Sequence, residues 1–290
     1  MVLSNKQFVE NDGCFLVFAD GSSVDIATQV VTNKGPGEII IKDLPMWPPM
    51  ADILREEMVL KHIDRLSISG DMNNIIILPN GTGEGEDNSC FVSIGGAEEF
   101  IQNCSVYQKS SQLFISTPKS NSNVHVHMGS VWINGKRQPP KFEDDFGYIQ
   151  IKCNSLYSLF IEDSGSGEMY SQVPIDLLRG SIRGSTSIDA IALENVELHI
   201  SGSGSLVADQ LNGYLHGRIS GSGNINVLSG LIESADVQIS GSGSLFVAGA
   251  IKTADLSHSG SGKMVIAQVL NGYTARKSGS GFIKVLKVGP

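Results

Sequence analysis

A chain of 290 residues, 41% of them hydrophobic and 18% charged, carries enough apolar material to bury a sizeable core and is not an intrinsically disordered polymer. Its formal net charge of −9, with Lys136-Arg137 as the one dense basic cluster, argues against nucleic acid as a partner, because phosphate binding draws on clustered Lys and Arg. Glycine is the outlier, with 33 copies concentrated in the second half.

The first residues, MVLSNKQFVENDGCF, show no positive segment followed by an apolar run, so no export signal is expected. No apolar stretch reaches the ~18 residues that cross a bilayer, so no membrane span is expected either. This pattern fits a chain made in the cytoplasm and then assembled into a particle or at a cell surface. Strands are predicted at Cys14–Phe18, Ser23–Val31 and Glu38–Lys42, with turns at Asp20-Gly21 and Gly35-Pro36-Gly37. Pro48-Pro49 then opens a predicted helix over about 50–64, with Ile53, Leu54, Met58, Leu60 and Ile63 as its apolar face. Residues 1–63 are therefore read as a β-rich element with one helix, separate from a solenoid domain at 64–290.

Beyond Arg65, strands are predicted at Leu66–Ser69, Asn74–Leu78, Cys90–Ile94, Ser105–Gln108 and Gln112–Ser116. The loop at 79–88 is acidic and glycine-rich. Glu84, Glu86 and Asp87 could ligate calcium, but the EF-hand spacing is missing, and with no Lys and no helix behind it the loop is not a phosphate cradle. A solvated hairpin loop is the expectation. His125 and His127 alternate on a predicted strand and share a face, yet no third ligand can be placed, so they read as surface or partly buried histidines. Cys14, Cys90, Cys104 and Cys153 are too scattered for a disulfide framework or a zinc site and read as free thiols. No metal and no cofactor is expected.

The regular part follows, from 164 to 286. Ser-Gly-Ser-Gly begins at Ser164, Ser201, Ser220, Ser240, Ser259 and Ser278, and a degenerate Arg-Gly-Ser-Thr at Arg183 fills the one gap. Successive starts lie 19, 18, 19, 20, 19 and 19 residues apart. Five positions after each start stand Met169, Ile188, Leu206, Ile225, Leu245, Met264 and Ile283, and two further on Ser171, Ala190, Ala208, Val227, Val247, Ile266 and Val285. Residues two apart share one face of a strand, so each repeat supplies a short strand, a turn and at least one more strand. One unit cannot bury its apolar face, whereas stacked units bury a continuous ladder. The predicted fold is all-β: a parallel β-helix of about seven coils of 18–20 residues, with a β-sandwich of hairpins as the alternative. Glycine at the corners would allow positive φ and close backbone approach, and the intervening serines would stack into a hydroxyl ladder or a ligand-binding strip.

The stretch SIGGAEEFIQNCSVYQKSSQLFISTPK (Ser93–Lys119), a strand at Leu66–Gly70 before it and Ser-Gly-Ser-Gly coils after it resemble the bacterial family of auto-transporter adhesin head GIN domains. The resemblance runs from about Asp64 to Leu286. It implies a β-helix with Gly-Ser-Gly coils and an adhesive surface role. Family members carry an export or lipoprotein signal, which this chain does not show, and the first ~60 residues have no expected counterpart.

Enzymatic β-helices gather carboxylates on one face for acid–base work. Asp189, Asp209, Asp236 and Asp255 fall at different points of their coils and form no cluster, and no Ser-His-Asp or Cys-His arrangement has motif context. No catalytic, cofactor or metal residue is therefore assigned. The expected role is a non-enzymatic binding module presenting a long face to a surface, glycan or protein, or alternatively a structural part of a large assembly such as a phage particle. A solenoid end is an exposed edge, so the last coil is expected to be covered by a partner, a second copy or the N-terminal element.

Overall fold

The computed structural model describes residues 54–60, 62–71, 74–80, 90–96, 98–118 and 147–290, with the backbone of short strands elsewhere. The chain divides into two compact units, Met1–Ile53 and Leu54–Pro290. In the first, Val2–Ser4 pairs antiparallel with Ile39–Ile41. Phe8–Asn11, Phe15–Phe18, Ser23–Asp25 and Val31–Thr32 form a four-stranded antiparallel sheet. The single strand expected over 23–31 is thus two, paired with each other through Val24↔Val31.

The second unit is a parallel β-solenoid whose coils are passes of the repeat. From each Ser-Gly-Ser-Gly corner the chain enters a short strand, bends past a narrow third side, and returns along a longer strand to the next corner. The short side is built from Glu168–Ser171, Ser187–Ala190, Ser205–Ala208 and Asn224–Val227, continued by 244–247, 263–266 and 282–285. The long side is built from Leu156–Asp163, Ile175–Ile182, Leu193–Ile200, Tyr214–Ile219 and Leu231–Ile239, continued by 250–258 and 268–277. Every one of these pairings is parallel, which rules out the hairpin sandwich.

The column predicted from the repeat is present. Met169, Ile188, Leu206, Ile225, Leu245, Met264 and Ile283 pair each with the next, and all but Ile283 are fully buried. Each such side chain contributes about 1.5–3 kcal/mol by leaving water. Ser171 is the polar member of the second column. Its hydroxyl donates to Val173 O at 3.1 Å and accepts the Val173 N–H at 3.3 Å, so it is satisfied within its own turn. The long side closes the core with Leu178, Val196 and Leu215, and with Ile182, Ile200, Ile219 and Ile239 nearest the corner.

The corner explains the motif. A Cβ on Gly221 would stand 2.2 Å from Gly202 O, one on Gly241 2.1 Å from Gly221 O, and one on Gly260 1.8 Å from Gly241 O. None of these glycines has a positive φ. Glycine is required here by the approach of one coil to the next, not by a left-handed turn, which corrects half of the expectation. The stacking bonds are main-chain ones: Ser203 N–H to Gly184 O, Ser222 N–H to Gly202 O and Ser242 N–H to Gly221 O, each 3.0 Å. The motif serines after the first coil point outward and are exposed. Among the described residues their hydroxyl ladder has one rung, Ser261–Ser280 at 3.1 Å, with a neighbour just past the motif, Ser187–Ser205 at 3.0 Å.

At the N-terminal end, chain order and spatial order differ. Arg65–Gly70 lies between Gln112–Ser116 and Leu156–Asp163, parallel to both. Ile75–Leu78 likewise lies between Tyr148–Lys152 and Glu168–Ser171. Later residues therefore double back beneath the coil formed by 65–78. The ladder then ends in antiparallel strands: Ser105–Lys109 on Gln112–Ser116, Cys90–Gly96 on Tyr148–Lys152, and Leu54–Leu60 on Cys90–Gly96. The helix expected over 50–64 is thereby corrected, since 54–60 is a strand with Met58 opposite Val92 and Leu60 opposite Cys90. Met58 and Leu60, two apart, both pack on the core, and pairing along the edge of Cys90–Gly96 outweighs the helical preference of this stretch. The one helix among the described residues is Glu98–Asn103, which buries Phe100 and Ile101.

Replacing Gly241 by Ala should cost about 1–3 kcal/mol in urea unfolding, the range for forcing extra methyls into a packed site. Ser240→Ala, one residue away and exposed, should change stability by less than about 0.5 kcal/mol. Equal effects at the two positions would mean that the corner is not close-packed.

Candidate binding face

The outward side chains of the long strands form a continuous column. Register carries it through Tyr107, Phe114, Ser67, Phe160, Arg179, Glu197, His216, Asp236, Asp255 and Thr274. Ten strands at about 4.8 Å spacing make a face about 43 Å long. Its chemistry changes along its length. At the cap end it is aromatic: Tyr107 stacks on Phe114 with ring centroids 4.8 Å apart, Phe160 is exposed, and the Arg65 guanidinium lies 5.5 Å above the Tyr157 ring. In the middle and at the far end it is charged.

The charged stretch is tied coil to coil. Arg179 Nε meets Glu197 Oε2 at 3.1 Å, His216 Nδ1 meets Asp236 Oδ2 at 3.3 Å, and Arg276 Nη2 donates to both oxygens of Asp255 at 2.8 and 3.0 Å. Pairs this exposed add little stability and chiefly fix the orientation of their groups. The Tyr214 hydroxyl donates to Glu197 Oε1 at 2.9 Å. Partial desolvation, and then this bond to a carboxylate, raise the Tyr214 hydroxyl above its ordinary range.

Between the last coils the face opens into a shallow groove of about 680 Å³. Tyr214 and His216, Asp236, Thr253 and Asp255, and Asn271, Tyr273 and Thr274 line it from four successive strands. It presents carboxylate acceptors and hydroxyl and amide donors over a floor of Leu215, Ala235 and Ala254, and Tyr273, paired with Ala254, continues that floor to the last coil. His216, Asp236, Asp255 and Thr274 recur at a fixed place in the repeat, four residues before the following corner.

That spacing corrects the reading of the aspartates. Counted forward from its own corner, Asp236 is displaced by one residue from Asp255, because the intervening repeat is 20 residues long. Counted back from the next corner, both stand four residues before it, at Ser240 and Ser259. They are direct register partners on one face, whereas Asp189 and Asp209 belong to the short side and its bend. Glu84, Glu86, Asp87, His125 and His127 lie outside the described residues. Lys136-Arg137 forms a two-residue strand paired with Trp132–Ile133. Among the described residues no group of three or more His, Cys, Asp or Glu is gathered to hold a metal.

His258 was not singled out by sequence reasoning. It follows Ile182, Ile200, Ile219 and Ile239 in the buried column nearest the corner and is 1% exposed. Nδ1 accepts the Gly260 N–H at 3.0 Å, while Nε2 is buried without a partner. The equivalent glycines of earlier coils, Gly221 and Gly241, follow isoleucines and have no such acceptor. His258→Ile should therefore raise stability by about 1 kcal/mol, through removal of an unpaired buried polar atom. A loss of stability in thermal unfolding would show that the imidazole holds the last corner.

The family model described as "Putative auto-transporter adhesin, head GIN domain" matches residues 84–288, and the chain belongs to that family. No curated protein matches the sequence. Among solved structures, a "putative adhesin" from Parabacteroides distasonis is 13% identical with a TM-score of 0.54, covering 82% of this chain and 94% of that one. Another "putative adhesin", from Parabacteroides merdae, is 15% identical with a TM-score of 0.51, covering 81% and 96%. At these identities the likeness establishes the fold.

Proposed function

We propose that this head GIN domain chain is a rigid, non-enzymatic adhesin-like module, and that its long outer face binds glycan on a surface. The carrying observation is the groove from Tyr214 to Thr274. Carboxylates, amides and hydroxyls set at coil spacing match the repeating hydroxyls of a saccharide chain, and a tyrosine ring offers a flat surface for the C–H face of a sugar. An open groove running across parallel strands suits an extended polymer better than a small metabolite, which is normally enclosed in a cleft. The solenoid contributes stiffness, since every coil is fixed to both neighbours by main-chain bonds. The family description and the adhesin-like neighbours support a binding role of this kind.

A glycan array probed with the purified chain should show binding to a restricted set of polysaccharides. Asp255→Asn and Asp236→Asn should each weaken that binding about tenfold, the loss expected for one charge-assisted hydrogen bond. Both positions are half-exposed or exposed, so thermal unfolding should be unaltered. Binding that survives both substitutions would remove the groove from consideration, and a blank array would overturn the glycan reading.

A further inference from the structure

Two of the four cysteines meet in the cap. Cys90 begins the strand Cys90–Gly96, and Cys153 directly follows Tyr148–Lys152, its antiparallel partner. The register Phe91↔Lys152, continued by one step, sets Cys90 opposite Cys153. The Cys153 N–H is spent on Leu78 O at 3.0 Å, on the opposite edge of its strand. The pair is therefore a non-hydrogen-bonded one, in which opposed Cα atoms approach to about 4.5 Å and side chains lie closest. A disulfide accepts Cα separations of about 4.4–6.8 Å, so no backbone movement is needed to join these two. Both residues are 2% exposed and belong to the core, and each thiol shifts the titration of the other.

We infer that Cys90 and Cys153 form a cross-strand disulfide when the protein meets an oxidising environment. The oxidant is an exchangeable disulfide, either a small molecule such as oxidised glutathione or a dithiol–disulfide exchange protein. One of the two cysteines, as its thiolate, attacks one sulfur of that disulfide, and the first reduced thiol leaves. The other loses its proton to solvent and attacks the protein sulfur of the mixed disulfide, and the second reduced thiol leaves. Two protein thiols and one external disulfide thus become one protein disulfide and two external thiols.

The two thiols differ in environment. The hydrogen bond from Cys153, with help from the Ile63 backbone N–H, lowers the Cys90 thiol despite its burial. The same contact, and then burial, raise the Cys153 thiol. Since both sulfurs are covered, the first step takes place before the cap closes or during its local opening. The bond would lock the antiparallel cap to the coil at Tyr148–Lys152 and enclose residues 91–152 in a covalent loop. It does not depend on what the outer face binds, so failure of the glycan reading would leave it standing.

The test uses the full chain, incubated with oxidised glutathione, denatured, alkylated and peptide-mapped. The expected result is loss of the mass of two hydrogens, a linked Cys90–Cys153 peptide and an alkylated Cys104. The oxidised form should melt about 5–10 °C above the reduced form, and a reducing agent should reverse the shift. Cys104→Ser should keep both the link and the shift, and Cys90→Ala should lose both. Because Cys90 is part of the core, the peptide map of the unmodified chain carries the decision. Full alkylation of Cys90 and Cys153 after oxidation, or a link from either to Cys104 or Cys14, would overturn the inference.

Discussion

Everything in this molecule depends on how closely one coil can sit on the next. Parallel strands stack at about 4.8 Å, and the main-chain bonds that hold them need that distance at the corners as well as along the strands. At the corner the carbonyl of one glycine lies where the next glycine's Cβ would be, so the repeat tolerates no side chain there. Once the corner is fixed, the register of every following strand is fixed too. A one-residue slip would turn Ile225 and Val227 outward and bring Asn226 into the core.

The same constraint builds the outer face. Because each long strand ends on its corner at the same phase, the residue four positions earlier always points outward at one height. Arg179, Glu197, His216, Asp236 and Asp255 thereby become a single row, although they lie 18, 19, 20 and 19 residues apart in the chain. Variation in repeat length is absorbed on the other side of the coil, around Ser229-Gly230, where the third side has its bend. A rigid interior and a freely variable outer row allow sequence to change on the binding face without disturbing the core.

The solenoid was legible in the sequence because its signal is repeated: the first corner glycine and the first apolar column recur in all seven copies at a spacing of 18–20 residues. Single-copy features were harder to read. The stretch LREEMVL carries helix-forming residues, and only its pairing with Cys90–Gly96, thirty-odd residues away, makes it a strand. The return of 112–116 and 148–152 beneath the coil that contains 65–70 and 75–78 leaves no local trace, because these strands are paired with segments that precede them in the chain. The aspartate row was hidden by the reference point, not by chemistry, since counting from the following corner aligns it. The closeness of Cys90 and Cys153 is a product of the cap's register and could not be read from a spacing of 63 residues.

The most direct test of the binding face is amide hydrogen exchange on the chain, with and without a saccharide selected on the array. Added protection confined to 214–216, 234–236, 253–255 and 271–274 is the expected result, because these segments line the groove from four successive strands. Protection centred on the exposed serine corners, or on the short side, would contradict the assignment of the long outer face.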